Sequence, residues 1–277
     1  MRDKLDDDRG IRFAQRDRNV IKHRLTVLPR RLNCGETWSG SGVTAGVMML
    51  PGLEVWVQSV PVGTAHAGGD VHYFSNCPQC LVSRIALADV SGHGDQVVAF
   101  ADALRHLMVK HLTALDQEGL MRDLNQVARR ALGSFHYATM LALGWHSRRG
   151  LLVITNAGHP PPMWYRAARG SWTWLDIDRS SVKPADVPLG LLENIQYLRR
   201  VIKLQSDDLV VLYSDGASEA TDAAGTELGR EGLMSLARTS AVQSAATFGT
   251  AFAQSLLSFR GDAAALDDQT VIVLRAL

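Results

Sequence analysis

The 277 residues predict an α+β layered domain, with a run of strands set between two helical blocks. Three observations carry this reading. Hydrophobic residues make up 46% and charged residues 21%, the balance of a folded globular chain, which excludes a disordered one. Short strand-like runs crowd the centre, joined by connections that contain Gly, Pro or Asp. Helical periodicity is confined to blocks on either side of them.

The elements follow in order. Ile11, Ala14, Ile21, Leu25 and Leu28 recur near helical spacing with Arg and Lys between them, which predicts an amphipathic helix ending before Pro29. The Gly- and Ser-rich segment 32–52 reads as a loop with a short strand at 47–50. Residues 1–50 are thus expected to be a basic helix and linker, and 51–277 the main domain. Strands are expected at 53–60, 81–89, 138–145, 151–156, 163–166, 172–175, 197–204, 209–213 and 270–275. Their short connections favour antiparallel hairpins. The first helical block, 95–133, carries a stripe through Val97, Ala101, Leu104 and Met108 and continues through Leu120, Leu124 and Val127. The second covers about 230–260, with Leu233, Leu236, Phe248, Phe252 and Leu256. The Trp residues of the strands, such as Trp56 and Trp145, read as core packing.

Charge and cysteine content narrow the function. Residues 1–31 hold ten Lys/Arg and five Asp, a charge of about +5. The remainder holds nineteen Lys/Arg against twenty-three Asp/Glu, about −4. A mildly acidic body is a poor match for a phosphate backbone, so no nucleic acid partner is expected. It is compatible with carboxylates gathered around divalent cations. No apolar run approaches the roughly 18 residues of a membrane span, and MRDKLDDDRG lacks the apolar stretch of a secretory signal. Three cysteines are too few for a disulfide framework, which favours a cytoplasmic setting. Cys77 and Cys80 form a CxxC around Pro78. A zinc site would need about four ligands, of which only Cys34 and the nearby His72 are on offer, so a hairpin turn is the plainer reading.

Four aspartates share one character: each ends a strand or adjoins Gly. They are Asp70 in AGGD, Asp89 in LADVSGHG, Asp215 in LYSDG and Asp267 in LDDQT. An Asp ending an apolar strand is costly to bury unless it is paired or binds a metal. Carboxylates that converge repel one another unless a cation intervenes. Taken singly, each also fits a turn, and Asp268 caps a turn as readily as Asp267. No GxSxG elbow, Walker loop or strand-following GxGxxG occurs, which disfavours serine-nucleophile, nucleotide and dinucleotide chemistry.

The ordered series GGD, DVSGHG, NAGHPPP, PLG, LYSDGASEATD and DDQT resembles the SpoIIE-like branch of the metal-dependent (PPM-type) serine/threonine protein phosphatases, over about residues 51–277. The resemblance implies an α-β-β-α sandwich of two antiparallel sheets flanked by helices, with two Mn²⁺ or Mg²⁺ ions between them. It implies metal ligation by Asp70 and Asp89, with the Val90 backbone carbonyl as a further ligand. Asp215 and Asp267 match the acids of the later two motifs. A water activated between the metals would attack phosphoserine or phosphothreonine directly, without a phosphoenzyme. The substrate implied is a regulatory partner protein of the anti-sigma-factor antagonist kind, in a bacterial signalling system. The flanks VPVGTAHAGGD and VHYFSNCPQC depart from the family pattern, and no counterpart of the eukaryotic phosphate-binding Arg is evident.

His93 in SGHG has two readings: a general acid for the leaving oxygen, or a residue that holds the loop's shape. His159 and Asn156 in NAGHPPP read as turn-stabilising. Gly92, Gly94 and Gly216 would permit tight backbone beside the acids. Residues 1–31 are expected to regulate, or to mediate partner or self-association. The alternative to an enzyme is an impaired phosphatase fold serving as a binding or scaffold module.

Overall fold

The computed structural model describes residues 28–63, 67–91, 116–132, 136–176 and 187–277, together with residues 103, 106 and 108. Period-two alternation explains its layers. In β5 (Val82–Val90), Ile85 and Leu87 face one apolar cluster while Ala86 and Ala88 face another. In β11 (Leu209–Tyr213), Val210 and Leu212 point to the same cluster as Ile85, and Leu209, Val211 and Tyr213 point away. The shared cluster is the filling between two sheets.

The first sheet runs β1-β4-β5-β6-β7-β10. Here β1 is Thr37–Gly40, β4 Val71–Asn76, β6 Ala138–His146, β7 Leu151–Ala157 and β10 Arg199–Lys203. The second runs β2-β3-β12-β11-β8-β9, with β2 Thr44–Leu50, β3 Leu53–Val60, β8 Met163–Arg166, β9 Ser171–Trp174 and β12 Gln269–Ala276. Every pairing within the two sheets is antiparallel.

Helices cover both outer faces. Helix α1 (Gln117–Leu132) lays Leu120, Met121 and Leu124 over Ala86, Ala88 and Ala142 of the first sheet. Small residues there let the helix approach closely. Its start is fixed by the buried Gln117, whose Nε2 donates to the Ala142 carbonyl at 2.7 Å and to Thr155 Oγ1 at 3.1 Å. A single turn, α2 (Asp215–Ser218), follows β11. Helices α3 (Gly229–Thr239) and α4 (Ala245–Arg260) cover the second sheet. Helix α4 begins at Ser244, whose Oγ accepts from the Thr247 N–H at 2.9 Å, and ends at Gly261 with φ 57°. Phe248, Phe252 and Leu256 fill the space over Trp56, Val211 and Val273. The α-β-β-α layering is that implied by the sequence.

Three segments differ from expectation. Residues 37–50, read largely as linker, form β1 and β2, edge strands of opposite sheets. An edge strand pairs on one side only and tolerates Gly and Ser, so its apolar signal is weak. The folded unit therefore begins before Pro51, with Leu28 and Leu32 already buried in the inter-sheet cluster. Residues 71–76 form β4, which was not anticipated; all six are buried, so no alternation marks them. The second helical block is two helices, broken between Thr239 and Ala245. The helix expected at 11–28, apart from Leu28, lies outside the described residues, as does most of 95–115.

The cysteines also depart from the expected pattern. Cys34 and Cys80 form a disulfide that ties the segment before β1 to the β4–β5 turn. Cys77 is free, and its Sγ accepts from the Leu81 and Val82 N–H groups at 3.2 and 3.3 Å, as a turn-holding residue does. His72 is not beside them: it packs among Trp38 and Phe74 farther along β4.

Helix α4 crosses β3 at Gly249, where an added Cβ would stand 2.3 Å from Trp56 ring carbons. Gly→Ala inside a helix ordinarily stabilises by about 0.5–1 kcal/mol. Here the sign should reverse, and Gly249→Ala should lower stability by about 1–3 kcal/mol through overpacking. Urea unfolding checks this, and a raised midpoint would contradict the seating of α4 on Trp56.

Candidate active site

Antiparallel register brings the four aspartates to one end of the sandwich. Asp70 immediately precedes β4, and Asp89 is the penultimate residue of β5; Val71 pairs with Ala88 and so sets them side by side. In the other sheet Tyr213 at the end of β11 pairs with Val271 near the start of β12. Asp215 follows the first strand and Asp267 precedes the second. Each sheet thus contributes two acids from the adjoining ends of neighbouring strands.

Two cross-sheet ties show that these ends are the same end of the molecule. The first is Asp268, which the sequence offered only as a turn cap. It is buried, and its carboxylate accepts from the N–H groups of Val62 at 2.7 Å, Gly69 at 2.6 Å and Asp70 at 3.4 Å. An added Cβ at Gly68 would lie 2.0 Å from Asp268 Oδ2, so the GG of GGD makes room for the second Asp of DDQT. Gly216 answers the same residue, since its Cβ would lie 2.1 Å from the Asp268 carbonyl oxygen. Gly216 is needed for close approach and not for a left-handed φ.

The second tie is His159. Its backbone N–H donates to Asn156 Oδ1 at 2.8 Å, and Asn156 Nδ2 donates back to the His159 carbonyl at 2.8 Å. The ring spans the sheets, with Nε2 3.1 Å from the Tyr213 carbonyl and Nδ1 2.8 Å from Thr139 Oγ1. A carbonyl can only accept, so Nε2 carries the proton and Nδ1 receives the Thr139 hydroxyl. Thr139 is the register partner of Asp89, and Tyr213 stands two residues before Asp215. The turn-stabilising role expected of His159 and Asn156 is thus realised across both sheets.

The electrostatics of the acids are those of a site short of positive charge. Burial, then Asp89, push the Asp70 carboxyl well above its usual range, with the Ser214 and Thr270 hydroxyls opposing. Asp70 Oδ2 is buried without a hydrogen-bond partner among the described residues. Burial, then Asp215, Asp267, Asp268 and Glu219, push Asp89 up to about 7. Burial and Asp267 raise Asp215. Glu219, which sequence reasoning missed, joins the group: burial, Asp215, Glu227 and Asp267 all raise it. Its position in SDGASEATD, one helical turn past Asp215, is the signal that could have found it. Asp267 itself is exposed, and its Oδ1 accepts the Asp268 N–H at 2.7 Å.

An all-oxygen donor set with an orphaned buried carboxylate oxygen, and with Asp70, Asp89, Asp215 and Glu219 raised by neighbouring acids, fits hard divalent cations. Among the described residues no three His, Cys, Asp or Glu side chains already stand in ligand positions around one point, so ligation would draw the carboxylates inward. Val90 closes β5 beside Asp89, its N–H donating to the Gly69 carbonyl at 3.2 Å. Gly92, His93 and Gly94 lie outside the described residues. A cavity of about 270 Å³ opens beside Asp267, bounded also by Gly216, Glu219, Thr221, Arg260 and Leu266. No helix among the described residues is long and apolar enough to cross a membrane.

Comparison with known proteins agrees with this geometry. Residues 82–277 match the family model described as Stage II sporulation protein E (SpoIIE). The chain is 25% identical over 224 residues to phosphoserine phosphatase RsbU of Bacillus subtilis (strain 168), covering 80% of this chain but 63% of RsbU. Among solved structures, the RsbU and RsbW domains of Rv1364c from Mycobacterium tuberculosis superpose with a TM-score of 0.67 at 20% identity, covering 82% of this chain and 60% of that one. The catalytic domain of the serine/threonine phosphatase PstP, solved with two manganese ions, superposes with a TM-score of 0.56 at 16% identity, covering 81% and 98%. These likenesses establish the fold as that of the PP2C-type phosphatases.

The His159 tie has a pH signature. Burial lowers its imidazole to about 3, against about 6.5 in an unfolded chain. The unfolded chain therefore takes up the proton first. The stability that depends on neutral His159 is whole above pH 6.5 and is lost as pH falls toward 3, on the order of 2 kcal/mol by pH 5. Asp89 acts in the opposite sense in the metal-free protein: its raised folded value gives stability at low pH that is lost as pH rises through about 7. The difference between wild type and His159→Gln isolates the histidine. That difference should shrink between pH 7 and 5 in chelator-treated protein, and a pH-independent difference would contradict a neutral buried ring.

Proposed function

The chain belongs to the Stage II sporulation protein E (SpoIIE) family, and from that premise we propose that it hydrolyses phosphoserine or phosphothreonine on a regulatory partner protein. The observation that carries this reading is the convergence of Asp70, Asp89, Asp215 and Asp267 at one end of the sandwich, where neighbouring carboxylates raise the proton affinity of Asp70, Asp89 and Asp215. RsbU, a phosphoserine phosphatase by name, supports the reaction class. Nothing observed favours the alternative of an impaired scaffold, since all four carboxylates are present at the shared end.

In this reading Asp70, Asp89, Asp215 and Asp267, with the Val90 carbonyl, hold two Mn²⁺ or Mg²⁺ ions. Bound there, the pair of ions would supply Lewis acidity and an activated water for direct attack on phosphorus. The remaining residues prepare the place. Asp268 holds the backbone N–H groups of Val62, Gly69 and Asp70 and so positions Asp70 at the entry to the first sheet. Ser214 fixes the step into Asp215 by donating to the Asp268 carbonyl at 3.3 Å and accepting the Thr270 N–H at 2.9 Å. His93 either protonates the leaving serine oxygen or shapes its loop. Residues 1–31, basic against an acidic body, offer a regulatory or self-association segment. An anti-sigma-factor antagonist-like protein in the cytoplasm is the partner this family reading suggests; in a reducing compartment Cys34 and Cys80 would stand as adjacent thiols.

The purified chain should hydrolyse p-nitrophenyl phosphate with millimolar Mn²⁺ or Mg²⁺ and lose that activity in excess EDTA. Activity undiminished by EDTA would overturn the two-metal reading. Asp89→Asn and Asp215→Asn should each cut turnover by at least about 100-fold, more than the loss of an outer-shell partner does. Their melting temperatures without metal should be equal to or above wild type, because each removes a repelling carboxylate. His93→Ala should retain measurable turnover if the loop-shape role holds, and should fall as far as Asp89→Asn if His93 is the general acid.

A further inference from the structure

Arg260 ends helix α4 on the wall of the cavity beside Asp267. Its Nε is buried and has no hydrogen-bond partner among the described residues. A guanidinium is charged at every accessible pH and strongly prefers a planar oxyanion. Two carboxylates line the same cavity, Glu219 and Asp267, yet neither pairs with it: the charged groups acting on Glu219 are all acidic, namely Asp215, Glu227 and Asp267. The ion-paired arginines Arg230 and Arg275 are engaged elsewhere, Arg230 with Asp176 and Arg275 with Glu54 and Asp207. Arg260 is thus a half-buried cation lining a cavity next to the candidate active site, its Nε without a hydrogen-bond partner among the described residues.

The cavity's size and lining say what fits. At about 270 Å³ it lies just below the range of sites for whole small molecules and suits one or two side chains of a larger partner. Apart from Arg260 and the two acids on its catalytic side, the walls are small or neutral: Ala220, Thr221, Ala264 and Leu266. Such walls leave an anion at Arg260 without competition from other cations, and a hydrogen bond from a guanidinium to an oxyanion is charge-assisted and stronger than a neutral one.

We propose that Arg260 and this cavity form an oxyanion subsite for the phosphoprotein substrate, taking either the phosphoryl group or a carboxylate beside the phosphoserine. The inference rests on the phosphatase reading and deepens it. Arg260 is a specificity residue here: it holds the substrate, and the acids of the two sheets do the chemistry.

The test compares wild type, Arg260→Gln and Arg260→Lys with Mn²⁺ on three probes: p-nitrophenyl phosphate, a phosphoserine pentapeptide flanked by alanines, and one flanked by glutamates. Arg260→Gln should raise KM roughly tenfold or more on at least one probe, with kcat changed far less and the melting temperature within a few degrees of wild type. Arg260→Lys, which keeps the charge but not the planar fork, should recover part of the loss. A rise on all three probes assigns the phosphoryl group; a rise on the glutamate-flanked peptide alone assigns the neighbouring carboxylate. Equal KM on every probe, or a uniform fall in kcat that tracks a lowered melting temperature, would overturn the subsite and leave Arg260 a helix-terminating residue that complements the α4 dipole. If wild type itself hydrolyses none of the probes, the phosphatase reading fails first, so the two failures are distinguishable.

Discussion

The carboxylate of Asp268 is the interaction on which the active end depends. It lies at the start of one sheet and accepts three backbone N–H groups from the stretch that enters the other. Hydrogen bonds to a carboxylate are the stronger kind, and the Gly69 and Asp70 donors would be left buried and unpaired without it. Between the sheets the sandwich is filled by apolar packing, which is non-directional and would by itself allow the sheets to slide. Asp268 converts that contact into a fixed relation between the first residues of β4 and β12. Gly68 and Gly216 are consequences: each lies where any side chain would strike Asp268. His159 repeats the device a few residues away, joining Thr139 of the first sheet to Tyr213 of the second.

Such ties are needed because the site itself is repulsive. Asp70, Asp89, Asp215 and Glu219 are each raised by burial and by neighbouring acids, and Asp70 Oδ2 has no compensating donor among the described residues. A loop-borne cluster of this kind would relax apart. Here the acids sit at the ends of strands whose remaining residues are almost wholly buried, as in β4, β5 and β11. Burial of the strands supplies the stabilisation, and the acids are carried along by the register. Charge of one sign held in place by apolar packing is the arrangement that a cation can relieve.

Much of this was legible from residues alone, and the failures have physical causes. The strands 53–60, 163–166 and 209–213 were read with the bounds the structure has, because turn residues bracket them. The layer order was what the family resemblance implied, and the four aspartates stood out by their places at strand ends or beside Gly. The strand at 71–76 was missed because both its faces are buried, which erases alternation. The strands at 37–40 and 44–50 were largely missed because edges carry weak apolar signals. The Cys34–Cys80 pairing could not be seen, since proximity across 46 positions of sequence is a tertiary fact. Arg260 gave no motif signal at all; only the cavity sets it beside Asp267.

The DDQT motif shows why motif matching and physical reading need each other. Its two aspartates are chemically identical and adjacent, and sequence offers no ground for preferring either as ligand or as cap. The strand that begins after them separates the roles. Successive side chains point to opposite sides, so one aspartate of the pair turns inward toward the N–H groups of Val62, Gly69 and Asp70 when the other turns outward. Asp268 is the buried one and spends its oxygens on backbone N–H groups. Asp267 is exposed, lines the cavity and holds the next N–H with Oδ1. Adjacent acids thus divide positioning from chemistry, and exchanging either for Asn should disturb a different property: the joint between sheets for Asp268, the charge of the site for Asp267.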